Sequence, residues 1–376
     1  MGLSDELWSG VAVVAAPEVE SLQRIGHAEY ALWVFAVPMM VSAMIEAPVA
    51  LASDRVPRPL LISAGLGALA LALLLAALAP SAVYLAGSLA LAGAASGIAC
   101  GAAQAELVSR HPGGAHRAMS RWIAFSAAGD ALTPLFVAGA YWAGGTHRTA
   151  LIAVALILGI QALVSWRITG RAPQGDSAAL DEDGALVSLR TALASAARNP
   201  RLWLFLFGAS ACTLLDEVVV ALAALRLHDD LGWSNSSIAL ALSGFSSGGV
   251  LGAIAGDRLL RRISPRLLLV GSTLGSIGLL LTFVIVISAP LAALLLFFLG
   301  MSASLHYPLV KAAAFELVPG QPGVVNALAQ AFVGVEIVLP LFIGMVASTY
   351  GLIPALATLA LEPIILLLVA AAWRKR

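Results

Sequence analysis

Carboxylates, an amide and an imidazole that interrupt otherwise apolar stretches are the candidates for chemistry in this chain. They are Asp5, Glu6, Gln104, Asp130, Asp216, Glu217, His306 and Glu336. Glu46 and Glu362 are two further acids in such stretches, to which the sequence assigns no role. Acids that are removed from water and placed close together resist ionisation, because desolvation and mutual repulsion both disfavour the charged form. Histidine changes its charge near neutral pH. These residue types therefore favour the capture and release of protons under physiological conditions.

Asp130 and Glu336 share a local pattern. Each stands four residues before a proline, Pro134 or Pro340. A proline inside a helix frees the carbonyl one turn earlier, so each acid is predicted to lie beside a kink with an unpaired backbone acceptor. A protonated acid could donate a hydrogen bond to that carbonyl. A packing hydrogen bond with no part in proton movement is the alternative interpretation.

The other acids occur as two adjacent pairs, which begin at Asp5 and at Asp216. Neighbouring residues on a helix point about 100° apart, so one member of each pair is expected to face a cavity and the other a neighbouring helix. His306 precedes Tyr307 and Pro308. That position suits either a proton relay or the cap of a bend.

The composition indicates that these residues lie in a membrane. Hydrophobic residues make up 60% of the 376 residues, charged residues make up 11%, and the mean hydropathy is +0.94. In soluble domains about a quarter of the residues are charged. The formal net charge is zero, which gives no indication of a nucleic-acid partner. Cys100 and Cys212 show neither a disulfide framework nor a metal-binding spacing.

Apolar stretches of about 20 residues, the length that crosses a bilayer, occur twelve times in the sequence. They are 3–22, 29–52, 60–80, 83–108, 118–143, 148–168, 201–226, 235–256, 266–288, 290–310, 324–348 and 352–372. We therefore expect an all-α integral membrane protein with twelve transmembrane helices in two pseudo-symmetric six-helix bundles. The bundles are predicted to be 1–168 and 201–376, and the polar stretch 169–200 is predicted to be a linker.

The basic residues predict the orientation. All of the 21 lysine and arginine residues except Arg24, Arg148 and Arg226 fall on one side of the twelve-span arrangement. Positive charge is enriched in cytoplasmic loops. The linker and both termini are therefore expected in the cytoplasm, with the protein in the plasma (inner) membrane.

The two halves of the chain repeat one order of polar features. Each half contains, in this order, an Asp-Glu pair, an Asp-Arg gap and a Glu-Leu-Val sequence. The Glu-Leu-Val sequence is followed after three residues by Pro-Gly. These features begin at Asp5, Asp54 and Glu106 and again at Asp216, Asp257 and Glu316. Parallel repeats of hydrophobic spans are typical of two-bundle transporters. Asp5 lacks the long apolar lead of Asp216, so the first helix is expected to be truncated; a short first helix is the alternative.

The two Asp-Arg gaps resemble a motif of the major facilitator superfamily, which reads Gly, three residues, Asp, Arg or Lys, one residue, Gly and two basic residues. The matching positions are Asp54, Arg55 and Arg58 in the first copy and Asp257, Arg258, Arg261 and Arg262 in the second. The first copy has Ala and Pro where the family has glycine. The resemblance implies alternating access, with the Asp accepting hydrogen bonds from arginines and a helix N-terminus as a gate.

The resemblance also implies that the first, fourth, seventh and tenth helices line a central cavity. Its acids would suit a proton-coupled secondary transporter of a cationic or neutral amphipathic small molecule. Export is favoured, although the family's Gly-Pro export signature is absent from 124–139. A lipid or lysolipid translocator and a non-transporting sensor or scaffold are the alternatives.

The expected partners are a small-molecule substrate, protons and membrane lipid, with no nucleic acid. A monomer is expected. The sequence shows no catalytic or metal motif, so no enzyme activity, cofactor or metal is predicted.

Overall fold

The computed structural model describes residues 1–25, 27–53, 56–111, 114–169, 191, 193–233, 235–319 and 321–373. Each regular element within these ranges is helical. The α-helices are α1 (Gly2–Val14), α2 (Ala16–Gln23), α3 (His27–Tyr30), α4 (Val37–Ser53), α5 (Arg58–Ala77), α6 (Ala82–Ser109), α7 (Ala115–Trp142), α8 (His147–Thr169), α9 (Pro200–Ala211), α10 (Val219–Asp229), α11 (Asn235–Leu259), α12 (Pro265–Ile285), α13 (Ala289–Ala303), α14 (His306–Leu317), α15 (Pro322–Ala329), α16 (Val333–Tyr350), α17 (Leu352–Thr358) and α18 (Leu361–Ala372).

Ten helical segments of the described chain are long and apolar enough to cross a membrane. They are Leu32–Leu51, Arg58–Ala77, Ala82–Ser109, Ala115–Trp142, His147–Ile168, Pro200–Asp229, Pro265–Ile285, Pro290–Leu317, Pro322–Tyr350 and Leu352–Ala372. The two further predicted spans, 3–22 and 235–256, are helical as well, in α1 with α2 and in α11. The predicted all-α membrane fold is confirmed.

The helices form two compact units. The first comprises Met1–Arg110, Leu132–Asn199 and Val318–Ala331, and the second comprises His111–Ala131, Pro200–Leu317 and Phe332–Arg376. The predicted linker, 169–200, lies largely outside the described residues.

Small residues hold the first unit together. Helix α5 packs against α6 and α8. A Cβ added at Gly65 of α5 would lie 2.7 Å from the Cβ of Ala99 on α6, so the two backbones approach closely there. In a membrane, apolar side chains contact lipid tails as favourably as they contact another helix. Helix association is therefore favoured by the close packing that small residues permit.

The second unit uses glycine in the same way, but against main chain. Helix α11 packs along α13. A Cβ at Gly248 or Gly252 would overlap the backbone carbonyl oxygen of Phe297 or Met301. These glycines are therefore required for the contact between the two helices.

The seventh span is interrupted near its middle. Helix α9 ends at Ala211, a π-helical turn covers Leu214–Val218, and α10 starts at Val219. π-Helical turns widen a helix locally and occur frequently at functional sites. This turn carries Asp216 and Glu217.

Candidate functional site

Four of the predicted acids gather in the second unit. Asp130 lies in α7, Asp216 and Glu217 lie on the π-helical turn, and Glu336 lies in the first turn of α16. Glu217 is within electrostatic reach of the other three. Asp216 and Glu217 have exposed side chains although they lie in the middle of the span Pro200–Asp229. Polar groups at such depth generally face a cavity or a partner.

Glu336 has two close partners. Its carboxylate accepts a hydrogen bond from Ser210 of α9 and interacts electrostatically with Lys311 of α14. Lys311 is 7% exposed, and its Nζ lies 5.5 Å from the centre of the Phe315 ring. The sequence placed Lys311 beyond the tenth span, but the span continues to Leu317. A buried base therefore stands beside the acids, where a cation–π contact and the Glu336 charge compensate it.

Three further candidates, Asp5, Glu6 and Gln104, lie in the first unit. Asp5 accepts hydrogen bonds from Nε1 of Trp8 at 2.8 Å and from the Ser96 hydroxyl of α6. Glu6 is half-buried, and its backbone carbonyl accepts a hydrogen bond from the hydroxyl of Thr133 at 3.2 Å. Gln104 is 9% exposed within α6. Asp5 thus faces a neighbouring helix of its own unit.

His306 is fully buried, so its ring contacts no open space. Its Nδ1 lies 2.8 Å from Oε1 of Glu362 in α18. The sequence assigns no role to Glu362, which lies in the twelfth predicted span. The signal was present nevertheless, since a single acid within an apolar span needs a partner.

The second copy of the gate motif forms a charged cluster at the end of α11. Asp257 Oδ1 accepts hydrogen bonds from Nε of Arg117 and Nε of Arg121 in α7, each at 3.1 Å. Arg261 lies 3.7 Å from Asp257 Oδ2. Burial opposes ionisation of Asp257, but the two arginine hydrogen bonds outweigh it and hold its pKa below the ordinary value. Asp257 lies beyond the predicted span 235–256.

The other motif residues differ in their surroundings. Arg258 and Arg262 are exposed. Asp54 and Arg55 lie outside the described residues. Arg58 begins α5, where its Nη1 lies 3.5 Å from Oε2 of Glu106.

Glu46 is a further acid that sequence reasoning left without a role. Nε2 of Gln330 donates a hydrogen bond of 2.6 Å to its Oε2. The Glu46 carboxyl lies against Gly97 of α6, where an added Cβ would overlap it. Both contacts fall within the first unit, where α15 packs on α4. The sequence indicated this contact only by an acid in the second predicted span and an amide in the eleventh.

The described residues contain no group of three or more His, Cys, Asp or Glu side chains that could hold a metal ion. A surface groove of about 500 Å³ lies in the second unit, lined by Gly232, Trp233, Ser237, Leu240, Ala241, Gly244 and Ala293. The predicted site residues do not line this groove.

Membrane-spanning helices, a duplicated sequence and acids at membrane depth define a polytopic membrane transporter. The chain belongs to the major facilitator superfamily, whose family model matches residues 8–335 and 206–376. A search of curated proteins finds no match.

Solved structures show the same fold. The E. coli fucose:proton symporter FucP is similar with a TM-score of 0.81 and 13% identity, covering 100% of this chain and 97% of that chain. A second FucP structure, in the outward conformation, is similar with a TM-score of 0.77 and 15% identity. The match covers 100% of this chain and 98% of that chain. A bacterial homologue of the iron transporter ferroportin, in an outward-facing state, is similar with a TM-score of 0.73 and 14% identity. The match covers 98% of each chain. At such identities the likeness establishes the fold alone.

Proposed function

We propose that this member of the superfamily couples the transport of a cationic or neutral amphipathic small molecule to protons and favours export. Secondary transport by alternating access follows from the family and the fold. Proton coupling, the substrate class and the direction go beyond them.

The cluster of Asp130, Asp216, Glu217 and Glu336 is the observation that carries the proposal. Acids at membrane depth that share one region repel one another when ionised, so protons or a cation are needed to balance them. Lys311 balances part of this charge through Glu336. A cationic substrate can balance the remainder, and its departure can be exchanged for protons. Such an exchange supports export driven by an inward proton gradient.

Asp257 with Arg117 and Arg121 is proposed as a gate. Charge-assisted hydrogen bonds between an acid and two arginines are strong when partly shielded from water. Their release would permit α7 and the end of α11 to separate. Arg58, Arg258, Arg261 and Arg262 are proposed to support this face, which the positive-charge bias assigns to the cytoplasm.

The remaining assignments are proposed on the same footing. Residues 1–168 and 201–376 are the two bundles, joined by the linker 169–200. The protein acts as a monomer among plasma-membrane lipids, with both termini in the cytoplasm. Asp5, Glu6 and Gln104 are proposed as the contribution of the first half to binding.

Proteoliposomes that contain a trapped pH-sensitive dye test the proposal directly. With an imposed pH gradient, addition of tetraphenylphosphonium should move protons in vesicles that carry the wild-type protein. Asp216→Asn and Glu217→Gln should abolish the flux, because each removes one protonatable group from the cluster. Asp229→Asn changes an exposed carboxylate in the same span and is the matched control.

Unchanged coupling in both Asp216→Asn and Glu217→Gln would reject the role of the acids. Lysophosphatidylcholine and a neutral monosaccharide are tested in parallel. Movement of the lysolipid without proton flux would replace the proposal with a lipid translocator. Flux with the monosaccharide alone would restrict the substrate to neutral molecules.

A further inference from the structure

A buried acid–base pair lies beside the break in the seventh span, outside the acid cluster. His306 is 0% exposed and Glu362 is 1% exposed. They belong to α14 and α18, and Nδ1 of His306 lies 2.8 Å from Oε1 of Glu362. Removing two charged groups from water is costly, so a pair of this kind persists only where further hydrogen bonds satisfy it.

The second carboxylate oxygen of Glu362 has a specific partner. The backbone N–H of Leu215 donates a hydrogen bond of 2.6 Å to Oε2. Leu215 is the second residue of the π-helical turn Leu214–Val218. The N–H groups at the start of a helical segment lack acceptors on a preceding turn and are satisfied by capping groups. Glu362 therefore caps the segment that carries Asp216 and Glu217.

The imidazole also contacts polar groups of α12. Nε2 of His306 lies 3.5 Å from Oγ of Ser276, and the ring hydrogen-bonds to the backbone of Ser272. The Ser276 hydroxyl can donate or accept, so the contact at Nε2 suits either form of that nitrogen. The contact at Nδ1 is a hydrogen bond in which one proton is held between His306 and Glu362.

Few other ionisable groups face the pair from the helices packed around it. Asp216 of the π-helical turn interacts electrostatically with Glu362. Cys212, which follows the end of α9, interacts electrostatically with Glu362, Asp216 and Glu336. The contacts from α12 are the neutral Ser272 and Ser276 described above.

We infer that Glu362 is a positioning residue for the acid cluster. Its carboxylate, paired with His306, caps Leu215 and so fixes the π-helical turn on which Asp216 and Glu217 are carried. The transport consequence rests on the proposed function, whereas the capping itself does not. Two variants separate the two parts of the role. Glu362→Gln retains an acceptor for Leu215 without the ionisable group, and Glu362→Leu retains neither.

Hydrogen–deuterium exchange of the full-length protein in nanodiscs tests the cap without any substrate. In Glu362→Leu the Leu215 amide should exchange at least about tenfold faster, the factor expected for a lost hydrogen bond to a charged acceptor. Exchange in α12 should stay at the wild-type rate. Glu362→Gln and the control Asp229→Asn should keep Leu215 protected. Wild-type protection of Leu215 in Glu362→Leu would overturn the inference.

A measurement on the wild type covers the case in which Glu362→Leu does not fold. Nitrogen NMR of labelled histidine, with the His306 signal identified by its loss in His306→Gln, reports the hydrogen bonding of each ring nitrogen. The Nδ1 signal should show a strong hydrogen bond in the wild type and should shift in Glu362→Gln. An Nδ1 signal that is the same in both proteins would overturn the pairing.

Transport then distinguishes a positioning role from a purely structural one. In the vesicle assay with tetraphenylphosphonium, Glu362→Gln should shift the pH of half-maximal flux, because it removes a titratable group that interacts with Asp216. A change in maximal flux alone would indicate structural damage and reject the positioning role. If no wild-type flux is found, the proposed function fails while the exchange and NMR results still decide the inference.

Discussion

Equivalent helix pairs in the two halves of the chain are packed by different means. The second and fourth spans meet in the first unit as α4 and α6, and glycines of α6 leave room for polar side chains. Gly93 faces the Ser42 hydroxyl and Gly97 faces the Glu46 carboxyl. The eighth and tenth spans meet in the second unit, where Gly252 lies directly against main chain.

The acids of these pairs also find different partners. Glu46 of α4 accepts from a neutral amide, Gln330, just before α16. Asp257 of α11 accepts from two arginines of α7. In both cases the acid lies on the helix of the second span of its half, and the donor lies on or beside the fifth span of the other half. Duplication thus fixes where helices meet, while the local residues decide whether the contact is charged.

Among the variants that probe these helix pairs, Gly252→Ala should lower stability the most. The new Cβ would overlap the carbonyl oxygen of Met301, and neither backbone can move without separating α11 from α13. Overpacking of this kind costs about 1 to 3 kcal/mol. Thermal unfolding in nanodiscs measures it. The control is Gly244→Ala, which adds a methyl group in open space on the same helix. Equal midpoints for the two variants would show that the contact is loose.

Asp257→Asn should have the next largest effect. It removes the charge shared by Arg117 and Arg121, whose side chains are 33% and 49% exposed. Partly exposed ion pairs contribute up to about 1 kcal/mol, and that is the loss we expect. The unfolding midpoint should fall less than in Gly252→Ala. The control is Asp229→Asn, since that acid is paired but exposed. A loss as large in the control as in Asp257→Asn would argue against a specific cluster.

Glu46→Gln should change stability by less than about 0.5 kcal/mol, because the amide oxygen still accepts a hydrogen bond from Gln330. Gly97→Ala should have a larger effect, since its Cβ would displace the side chain at position 46. Unfolding midpoints compare the two variants, with Gly87→Ala as the control in open space on the same helix. A greater loss in Glu46→Gln than in Gly97→Ala would mean that the charge of Glu46 is required.

The helical architecture was predictable because length and hydropathy alone define a membrane span. The twelve predicted spans are all helical, and Asp257 lies near the C-terminal end of α11. Partners were harder to predict. Arg117 and Arg121 were recognised as basic residues on the Asp257 side, but their shared acid lies in the other half of the sequence.

Buried pairs were the least predictable part of the site. The pairing of His306 with Glu362 depends on the packing of α14 and α18, which no local pattern encodes. The cap of the π-helical turn was hard to predict for the same reason, because Glu362 is far from Leu215 in the sequence. The position of Lys311 was missed because hydropathy ends a span at the first charge, although cation–π and ionic contacts can bury one.

The smallest expected effect is the pH dependence of the contact between Asp257 and the two arginines of α7. The arginines hold the pKa of Asp257 below its ordinary value. A lowered pKa in the folded state stabilises the protein above the unfolded value, which is about 3.9 for Asp, and the gain is lost as the pH falls through the folded value. The difference in unfolding midpoint between wild type and Asp257→Asn should therefore be constant from about pH 8 to pH 5 and shrink only at lower pH. A difference that changes near neutrality would mean that the cluster itself titrates there. Constancy would assign any pH dependence of transport to groups other than Asp257.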